Sequence, residues 1–455
     1  MKTIQMICVI FIGCLLVSFS GVEMFSDQPS EPNALDFGLE GDVIYSGYEH
    51  SGTAPAVAYS PVTEQYLLVF EGSEKNGVIK GVFIDANTGE NLLLFSIFDS
   101  PLRAKNPDVA YDSDHDRFFV VYERENEIYG RVIYGGAGHP GGLFPDNKDL
   151  KISGESGEVH SDPAVVHNSD DDEYMVVFVQ APRRIMGRMV QAHETTPLPL
   201  GTAFTILNYT SGNVYTPDVA WTGMHNSFLA VWHRNRASGA DWVHAHYLHD
   251  QYSGSPQKYG SVVKVAPHNE GEDPLTDSCG NPSVAFDQKE DNFLVVFTHL
   301  EGSGSPVPRS IHGTRLKGRG DQGNPLEGYA FPIETIFNSK NDTHNMPSVG
   351  YCGVEDEMHV LYTSADIGAA GGDQYRIIDR IVIGETANSE LKVHVGDGDQ
   401  ILQVPAISGT DDGRCLAAWR YQNNSTDWDI AAQRIAAQKF IYSDWKFLPF
   451  LVKSQ

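Results

Sequence analysis

One strand-pair motif recurs seven times along the chain, and this recurrence constrains the fold more than any other feature. Each copy opens with Pro-x-(Val/Ile), and the prolines are Pro55, Pro107, Pro163, Pro217, Pro282, Pro347 and Pro405. A polar turn and a second apolar run follow each time: YLLVF (66–70), FFVVY (118–122), YMVVF (174–178), FLAVW (228–232), FLVVF (293–297), MHVLY (358–362) and CLAAW (415–419). Two short strand-forming runs around a polar turn predict a β-hairpin.

The spacing of the prolines, roughly 50 to 65 residues, is enough for four strands and their turns, which is the size of a propeller blade. With the strands of a blade labelled A to D, the second repeat places A at 107–111, B at 118–122, C at 128–134 and D near 149–153. We therefore predict an all-β fold, a seven-bladed β-propeller of four-stranded antiparallel blades. The 44 Gly and 24 Pro residues suit many short strands joined by tight turns.

The ring is predicted to close through an N-terminal strand. DVIYS (42–46) precedes the first A strand and resembles a D strand, whereas the last repeat ends with its C strand at 430–435. Closure of this kind removes exposed sheet edges. We predict a propeller over residues 42–435, an N-terminal linker over 21–41, and a C-terminal tail over 436–455 that packs on the propeller.

The first twenty residues predict export. One Lys, an apolar run, and small residues Ser18 and Ser20 before Gly21 form a signal-peptide pattern, so residues 1–20 would be removed. A membrane anchor is the alternative, but the apolar run is short for a bilayer span. We predict a secreted protein, extracellular or periplasmic, with no membrane span after signal removal.

The net charge of −28, from 32 basic and 60 acidic residues, argues against nucleic acid as a partner. The predicted mature chain keeps Cys279, Cys352 and Cys415, too few for a disulfide framework, so a large core must hold the fold. A disulfide between Cys352 and Cys415 is geometrically possible, because the repeats place them on neighbouring blades.

Asp-rich turns join strands A and B, as at 112–116 and 170–173, and they resemble calcium loops. They lack the Gly and the distal Glu of a helical calcium loop and recur at a hairpin position. We therefore interpret them as solvated turns.

Residues just before strand A and just after strand B of a propeller meet at one mouth of the central channel. Repeats 3 and 4 concentrate titratable and polar residues there, namely His160, Gln180, Tyr215, His233 and Arg234. We predict substrate-binding roles for Gln180, Arg124, Arg183, Arg184 and Arg236, since a basic sector on an acidic protein suits an anionic ligand. A polar rim with a structural role only is the alternative.

His, Tyr and Arg together suit β-elimination of a uronate-containing polysaccharide. Arg would neutralise the carboxylate, His would remove the C5 proton near neutral pH, and Tyr would protonate the departing glycosidic oxygen. Hydrolysis stays open, because it needs two facing carboxylates and Glu71, Glu123 and Asp162 are available.

The predicted architecture over about residues 42–435, with this His/Tyr/Arg grouping, resembles the ulvan lyases, secreted marine bacterial enzymes that cut sulfated rhamnose–uronate chains by elimination. The resemblance implies that His160 is the base, Tyr215 the acid and Arg234 the carboxylate clamp, with His233 as a second catalytic histidine. The substrate would be an acidic polysaccharide. The Pro-x-Val-Ala-Tyr hairpin also resembles repeats in surface proteins without enzymatic activity, so a non-catalytic propeller that binds glycans or proteins is the alternative.

Ulvan lyases carry a structural zinc bound by His and Cys, so the resemblance also implies a zinc site. His268, Cys279 and His344 precede the A strands of repeats 5 and 6 and could supply three ligands of a tetrahedral site. A lone buried cysteine is the alternative for Cys279. His244 and His246 share one face of a C strand, where a partly exposed strand face is favoured over a metal site.

Overall fold

The computed structural model describes these residues of the chain: 42–46, 55–72, 77–139, 144, 148–154, 157–192, 197–236, 241–249, 256–266, 278–300, 309–318, 331–336, 346–353, 357–366, 374–383, 386–387, 391–395, 401–409, 413–422 and 428–436. All regular elements in these ranges are β-strands, and they form seven antiparallel sheets. The predicted all-β, seven-bladed β-propeller is therefore confirmed.

Each sheet is one blade, and the strands run outward from the centre in chain order. Strand β1 (Asp42–Ser46) precedes blade 1. Blade 1 contains β2 (Ala56–Ser60), β3 (Gln65–Gly72), β4 (Val78–Asp85) and β5 (Asn91–Phe98). Blade 2 contains β6 (Ala104–Asp112), β7 (Arg117–Arg124), β8 (Glu127–Tyr134) and β9 (Leu150–Lys151). Blade 3 contains β10 (His160–Asn168), β11 (Glu173–Gln180), β12 (Arg184–Gln191) and β13 (Leu198–Asn208).

The remaining blades follow the same order. Blade 4 contains β14 (Asn213–Thr222), β15 (Ser227–Asn235), β16 (Trp242–His249) and β17 (Gln257–Ala266). Blade 5 contains β18 (Ser278–Asp287), β19 (Asn292–Leu300), β20 (Arg309–Lys317) and β21 (Phe331–Ile336). Blade 6 contains β22 (Ser348–Tyr351), β23 (Met358–Asp366), β24 (Gln374–Ile383), β25 (Thr386–Ala387) and β26 (Leu391–Val395). Blade 7 contains β27 (Ile401–Gly409), β28 (Arg414–Gln422) and β29 (Trp428–Ala436).

The ring closes as the sequence predicted. Strand β1 pairs antiparallel with β29, which makes blade 7 a four-stranded sheet. The innermost strands β2, β6, β10, β14, β18, β22 and β27 each contact the next one, and β27 contacts β2. A continuous circle of inner strands around one axis follows from these contacts.

The core lies between neighbouring blades. In β7, Phe118 and Val120 pack toward blade 1, whereas Phe119 and Val121 pack toward blade 3. Alternate residues of a strand point to opposite faces, so a blade covered on both sides needs an unbroken apolar B strand. Burial of each such Phe stabilises the fold by about 1.5–3 kcal/mol.

The A–B turns place one residue in the left-handed backbone region. These residues are Glu64, Asp116, Asp172, Asn226 and Asp291, with φ between 47° and 53°. Asp and Asn tolerate this conformation better than most residues, which explains the acidic turns. Asp112 differs from the expectation of a solvated residue, because it is fully buried and accepts hydrogen bonds from Arg117 and Tyr174.

The strands do not start at the repeat prolines in most blades. In β6, β10, β14, β18 and β27 the strand begins three or four residues earlier and its register shifts across the proline. The residue before the proline has a positive φ at Asn106, Asp162, Thr216 and Asn281. These five inner strands therefore bulge at the mouth of the channel.

A disulfide between Cys352 and Cys415 joins blades 6 and 7, with their Cα atoms 6.0 Å apart. Cys279 is buried and forms no disulfide. No helix long and apolar enough to cross a membrane occurs among the described residues. Residues 1–41 and 437–455, which carry the predicted signal peptide, linker and tail, lie outside the described residues.

Candidate active site at the channel mouth

The seven repeat prolines come together around one cavity of about 370 Å³ on the propeller axis. Asn106, Asp162, Thr216 and Asn281, which precede four of these prolines, line the same cavity. Four of the positions before strand A therefore meet at one mouth, whereas the cavity lining does not include the residues predicted for the site: His160, Gln180, Tyr215, His233 and Arg234.

The residue after the proline links one blade to the next in three places. Oδ2 of Asp108 accepts the backbone N–H of Val165 at 2.7 Å, and Oδ2 of Asp218 accepts that of Val284 at 2.9 Å. Oγ of Ser283 accepts the N–H of the corresponding valine of blade 6 at 3.3 Å. Loss of hydration in the narrow channel, together with the charge of Asp218, raises the pKa of Asp108 to about 7. Desolvation also raises the pKa of Asp218.

Two carboxylates share one amide at the mouth. Nδ2 of Asn106 donates to Oε2 of Glu123 at 3.3 Å and to Oδ1 of Asp162 at 3.0 Å. These two carboxylate oxygens therefore lie at most 6.3 Å apart, a limit that includes the roughly 5–5.5 Å separation of the carboxyl groups in retaining glycosidases. Nζ of Lys105 is 3.0 Å from Oε1 of Glu123.

Both carboxylates of this pair hold protons more tightly than usual. Burial, helped by the charge of Asp162, raises the pKa of Glu123, although Lys105 opposes the shift. Burial raises the pKa of Asp162, although hydrogen bonds from Ser161 and the Thr216 backbone oppose it. Asp162 lines the cavity, whereas Glu123 is almost fully buried behind it. Neighbouring carboxylates with raised pKa values in a cleft are typical of functional sites.

Positions that follow strand B differ from blade to blade at this mouth. Glu71 in blade 1 lies 3.7 Å from Arg103 and interacts electrostatically with Arg420 of blade 7. Burial lowers the pKa of Arg420 to about 10 despite the opposing charge of Glu71. His233 holds the corresponding position in blade 4.

Tyr215 and His233 of the predicted site lie together. They are partners across β14 and β15, and their ring centroids are 5.7 Å apart. Tyr215 is 40% exposed, and its hydroxyl accepts a hydrogen bond from Asn213 at 2.9 Å. Nε2 of His233 is 3.3 Å from a carboxylate oxygen of Asp241. The three side chains form an Asp–His–Tyr row at the rim of blade 4.

His160 occupies a different cavity, of about 560 Å³, between blades 2 and 3. It is 2% exposed, and its Nδ1 lies 3.1 Å from Oε2 of Glu127. Gln180 pairs with His160 across the strands and lines the same cavity, together with Lys151 and Arg188. Tyr215 does not line this cavity.

The predicted arginines separate into two groups. Three stack on aromatic rings, with the guanidinium carbon 3.9 Å from Tyr209 for Arg234, 4.1 Å from Trp242 for Arg236 and 3.5 Å from Tyr129 for Arg124. Arg183 and Arg184 are exposed and donate to the carbonyl of Thr210 and to Oε1 of Gln180. Among the five predicted arginines, Arg183 and Arg184 are the two whose side chains are exposed to solvent.

His268 and His344 of the predicted zinc site lie outside the described residues, while Cys279 is 1% exposed within β18. His244 and His246 are buried, so the expected exposed strand face is wrong. Burial and nearby cations lower the pKa of His244 to about 3 and that of His246 to about 4. Among the described residues, two groups have metal-binding geometry: Cys352, His359 and Cys415, and separately Asp112, Asp114, His167 and Asp172.

The bridging role of Asn106 was missed from the sequence. The available signal was an Asn or Asp directly before a repeat proline, where the left-handed conformation is favoured for those two residue types. Recognition of a bulge at that position would have directed Asn106 and Asp162 to the same mouth.

No protein-family model matches the sequence, and no curated protein matches it. Solved structures do match. A protein of unknown function from Dyadobacter fermentans has 13% identity and a TM-score of 0.49 over 88% of this chain and 98% of that chain. An α-L-arabinanase of Penicillium chrysogenum has 10% identity and a TM-score of 0.42 over 86% and 100%.

A prolyl endopeptidase also matches, with 10% identity and a TM-score of 0.43 over 87% of this chain. This chain spans about half of that enzyme, 51% of its length. Similarity at these levels carries no argument about activity.

Proposed function

We propose that the protein is a glycoside hydrolase that cleaves a glycan at the channel mouth with Glu123 and Asp162. The observation that carries the proposal is the pair of carboxylates held by the single amide of Asn106. Their separation, within about 6 Å, favours the retaining mechanism, in which no space for a water molecule is needed between them.

In this mechanism the ionised form of Asp162, which the charge of Lys105 favours, attacks the anomeric carbon and forms a glycosyl ester. Glu123 does not line the cavity, so it donates its proton to the departing glycosidic oxygen through one bridging water, and its raised pKa helps it to hold that proton. Glu123 then takes a proton from water, which attacks the ester and frees the sugar and Asp162. Asn106 keeps both carboxylates in place throughout.

An acidic glycan is the proposed substrate class. Lys105 borders the pair, and the exposed Arg183 and Arg184 supply positive charge on the rim of blade 3. Although the protein as a whole is strongly acidic, these cationic side chains attract carboxylate or sulfate substituents of a glycan. The predicted export signal at residues 1–20 is consistent with a substrate too large to enter the cell.

The test is hydrolysis of a panel of neutral and acidic polysaccharides, measured as new reducing ends. Asp162→Asn and Glu123→Gln should each lower the rate by about 100- to 10,000-fold. Asp171→Asn, in the turn at the opposite end of blade 3, is the matched control and should keep wild-type activity. Full activity in either site variant would contradict the proposal.

A polysaccharide lyase that resembles the ulvan lyases is the second candidate, favoured by the Asp241–His233–Tyr215 row. His233 would act as base and Tyr215 as acid. The predicted base His160 and clamp Arg234 have less support, because one is buried beside Glu127 and the other stacks on Tyr209. A lyase would release unsaturated uronates that absorb in the ultraviolet, and Tyr215→Phe would abolish that signal while Asp162→Asn would not.

A further inference from the structure

A cysteine–histidine cluster lies between blades 6 and 7, away from the channel mouth. Cys352 follows β22, His359 lies on β23, and Cys415 lies on β28 of the next blade. All three side chains have no exposed surface. Their ligand atoms, two Sγ atoms and one imidazole nitrogen, lie within 4.8 Å of one another.

His359 is oriented by a carboxylate. Its Nδ1 is 2.7 Å from Oδ2 of Asp379, which lies on the neighbouring strand β24. A proton on Nδ1 donated to Asp379 leaves Nε2 with a lone pair. A carboxylate behind the imidazole in this way is the usual second partner of a metal-bound histidine.

The other ring nitrogen of His359 faces a second buried carboxylate. Nε2 of His359 lies 3.6 Å from Oε2 of Glu357, at ion-pair distance. Glu357 is 1% exposed. Buried carboxylates therefore flank the imidazole at both ring nitrogens.

We propose that the thiol form of this cluster binds zinc through Cys352, Cys415 and His359, whose ligand atoms already lie together. Two thiolates and an imidazole supply three of the four ligands that zinc binds in tetrahedral geometry. The zinc form and the disulfide form exclude each other, because the same two sulfur atoms serve both. The proposal concerns blades 6 and 7 and is independent of the hydrolase mechanism.

Conversion of the disulfide to two thiols requires two electrons and two protons. A water-soluble phosphine supplies the electrons in the test and becomes a phosphine oxide, with water as the source of the oxygen and the protons. Metal binding then releases the thiol protons. After removal of the phosphine, the full chain is titrated with Co²⁺ under argon, and absorption spectra are recorded.

The reduced wild-type protein should bind one Co²⁺ with thiolate-to-cobalt charge transfer in the near ultraviolet and tetrahedral bands in the visible. The oxidised wild-type protein, which needs no substitution, should show neither band. Cys415→Ser should remove the charge-transfer band or weaken Co²⁺ binding at least 10-fold. Asp379→Asn should keep the spectrum and weaken binding about 10- to 100-fold, as expected of a residue that orients a ligand.

Cys279→Ser is the matched control, since it removes the other buried cysteine of the propeller and should leave the spectrum and the affinity unchanged. Three results would overturn the proposal. The reduced wild type could lack thiolate-to-cobalt bands, or the oxidised wild type could bind Co²⁺ equally well. Loss of binding in Cys279→Ser with retention in Cys415→Ser would assign the metal to blade 5 instead.

Discussion

The pKa values of buried carboxylates are shifted in opposite directions at the two ends of the inner strands. At the A–B turns, burial acts to raise the pKa of Asp112, but His167 and Arg117 hold it below its ordinary value. At the mouth, Asp108, Glu123, Asp162 and Asp218 all have raised pKa values, with burial as the largest cause. Ion-paired carboxylates stabilise the fold, whereas desolvated ones with few cations near them are available for proton transfer.

The same contrast appears in the repeat itself. The turn end uses a left-handed residue at one position in each of blades 1 to 5, because the hairpin geometry demands it. The position after strand B is free of this demand and varies, holding Glu71, Glu123, His233 and Arg420 in four different blades. The mouth is therefore the end at which the blades differ in chemical character.

The largest difference should be seen in activity. Removal of the charge at the mouth, by Asp162→Asn, should abolish glycan cleavage with little change in melting temperature. At the turn end, Asp112→Asn should instead lower stability and spare activity per folded molecule. Equal loss of activity in both variants, measured on protein shown to be folded by circular dichroism, would remove the distinction between the two ends.

The second-largest expected effect is a loss of stability when Asp112 is replaced. Its replacement by Ala leaves the buried guanidinium of Arg117 without its carboxylate, which should cost about 3–5 kcal/mol in the free energy of unfolding. The folded pKa of Asp112 is lowered, so its contribution is present above the unfolded pKa and is lost as the pH falls through the folded value. Urea unfolding at pH 7 measures the effect, and an unchanged midpoint would argue that the ion pair is unimportant.

Asp108 should show the opposite pH dependence. Its folded pKa of about 7 lies above the unfolded value, so its contribution is present below the unfolded pKa and is lost as the pH rises toward 7. Asp108→Asn retains an acceptor for the N–H of Val165 and should be more stable than wild type at pH 8 by about 1–3 kcal/mol. The difference should shrink at pH 4. A difference that does not change with pH would show that Asp108 is not desolvated in the channel.

The smallest effect is expected from the turn of blade 1. Glu64 has a φ of 51°, which favours Gly, and its exposed carboxylate accepts a hydrogen bond from Asn87 and lies 3.8 Å from the guanidinium of Arg414. Glu64→Gly should raise stability by less than about 1 kcal/mol, with no effect on cleavage. A clear fall in melting temperature would mean that the side-chain contacts outweigh the backbone strain.

The fold was predictable because its determinants are local and repeated. Each hairpin carries its own apolar runs and turn, and DVIYS at 42–46 has the pattern of the strand that blade 7 lacks. Parts of the site were not predictable from the sequence, because the direction of each side chain at the mouth depends on the bulge next to the repeat proline. A single extra residue changes which side chains face the channel. His233 and Arg234 are adjacent on one strand, so alternation alone should have placed them on opposite faces.

Hydrolysis of a glycosidic bond at the mouth through Glu123 and Asp162 can be distinguished from elimination by the origin of one oxygen atom. A reactive acidic polysaccharide is cleaved in H₂¹⁸O, and the reaction is quenched early and analysed by mass spectrometry. We expect one ¹⁸O at the anomeric carbon of each new reducing end, saturated products, and loss of both in Asp162→Asn. Unsaturated products without ¹⁸O, retained in Asp162→Asn and lost in Tyr215→Phe, would contradict hydrolysis at the mouth and assign the cleavage to elimination at blade 4.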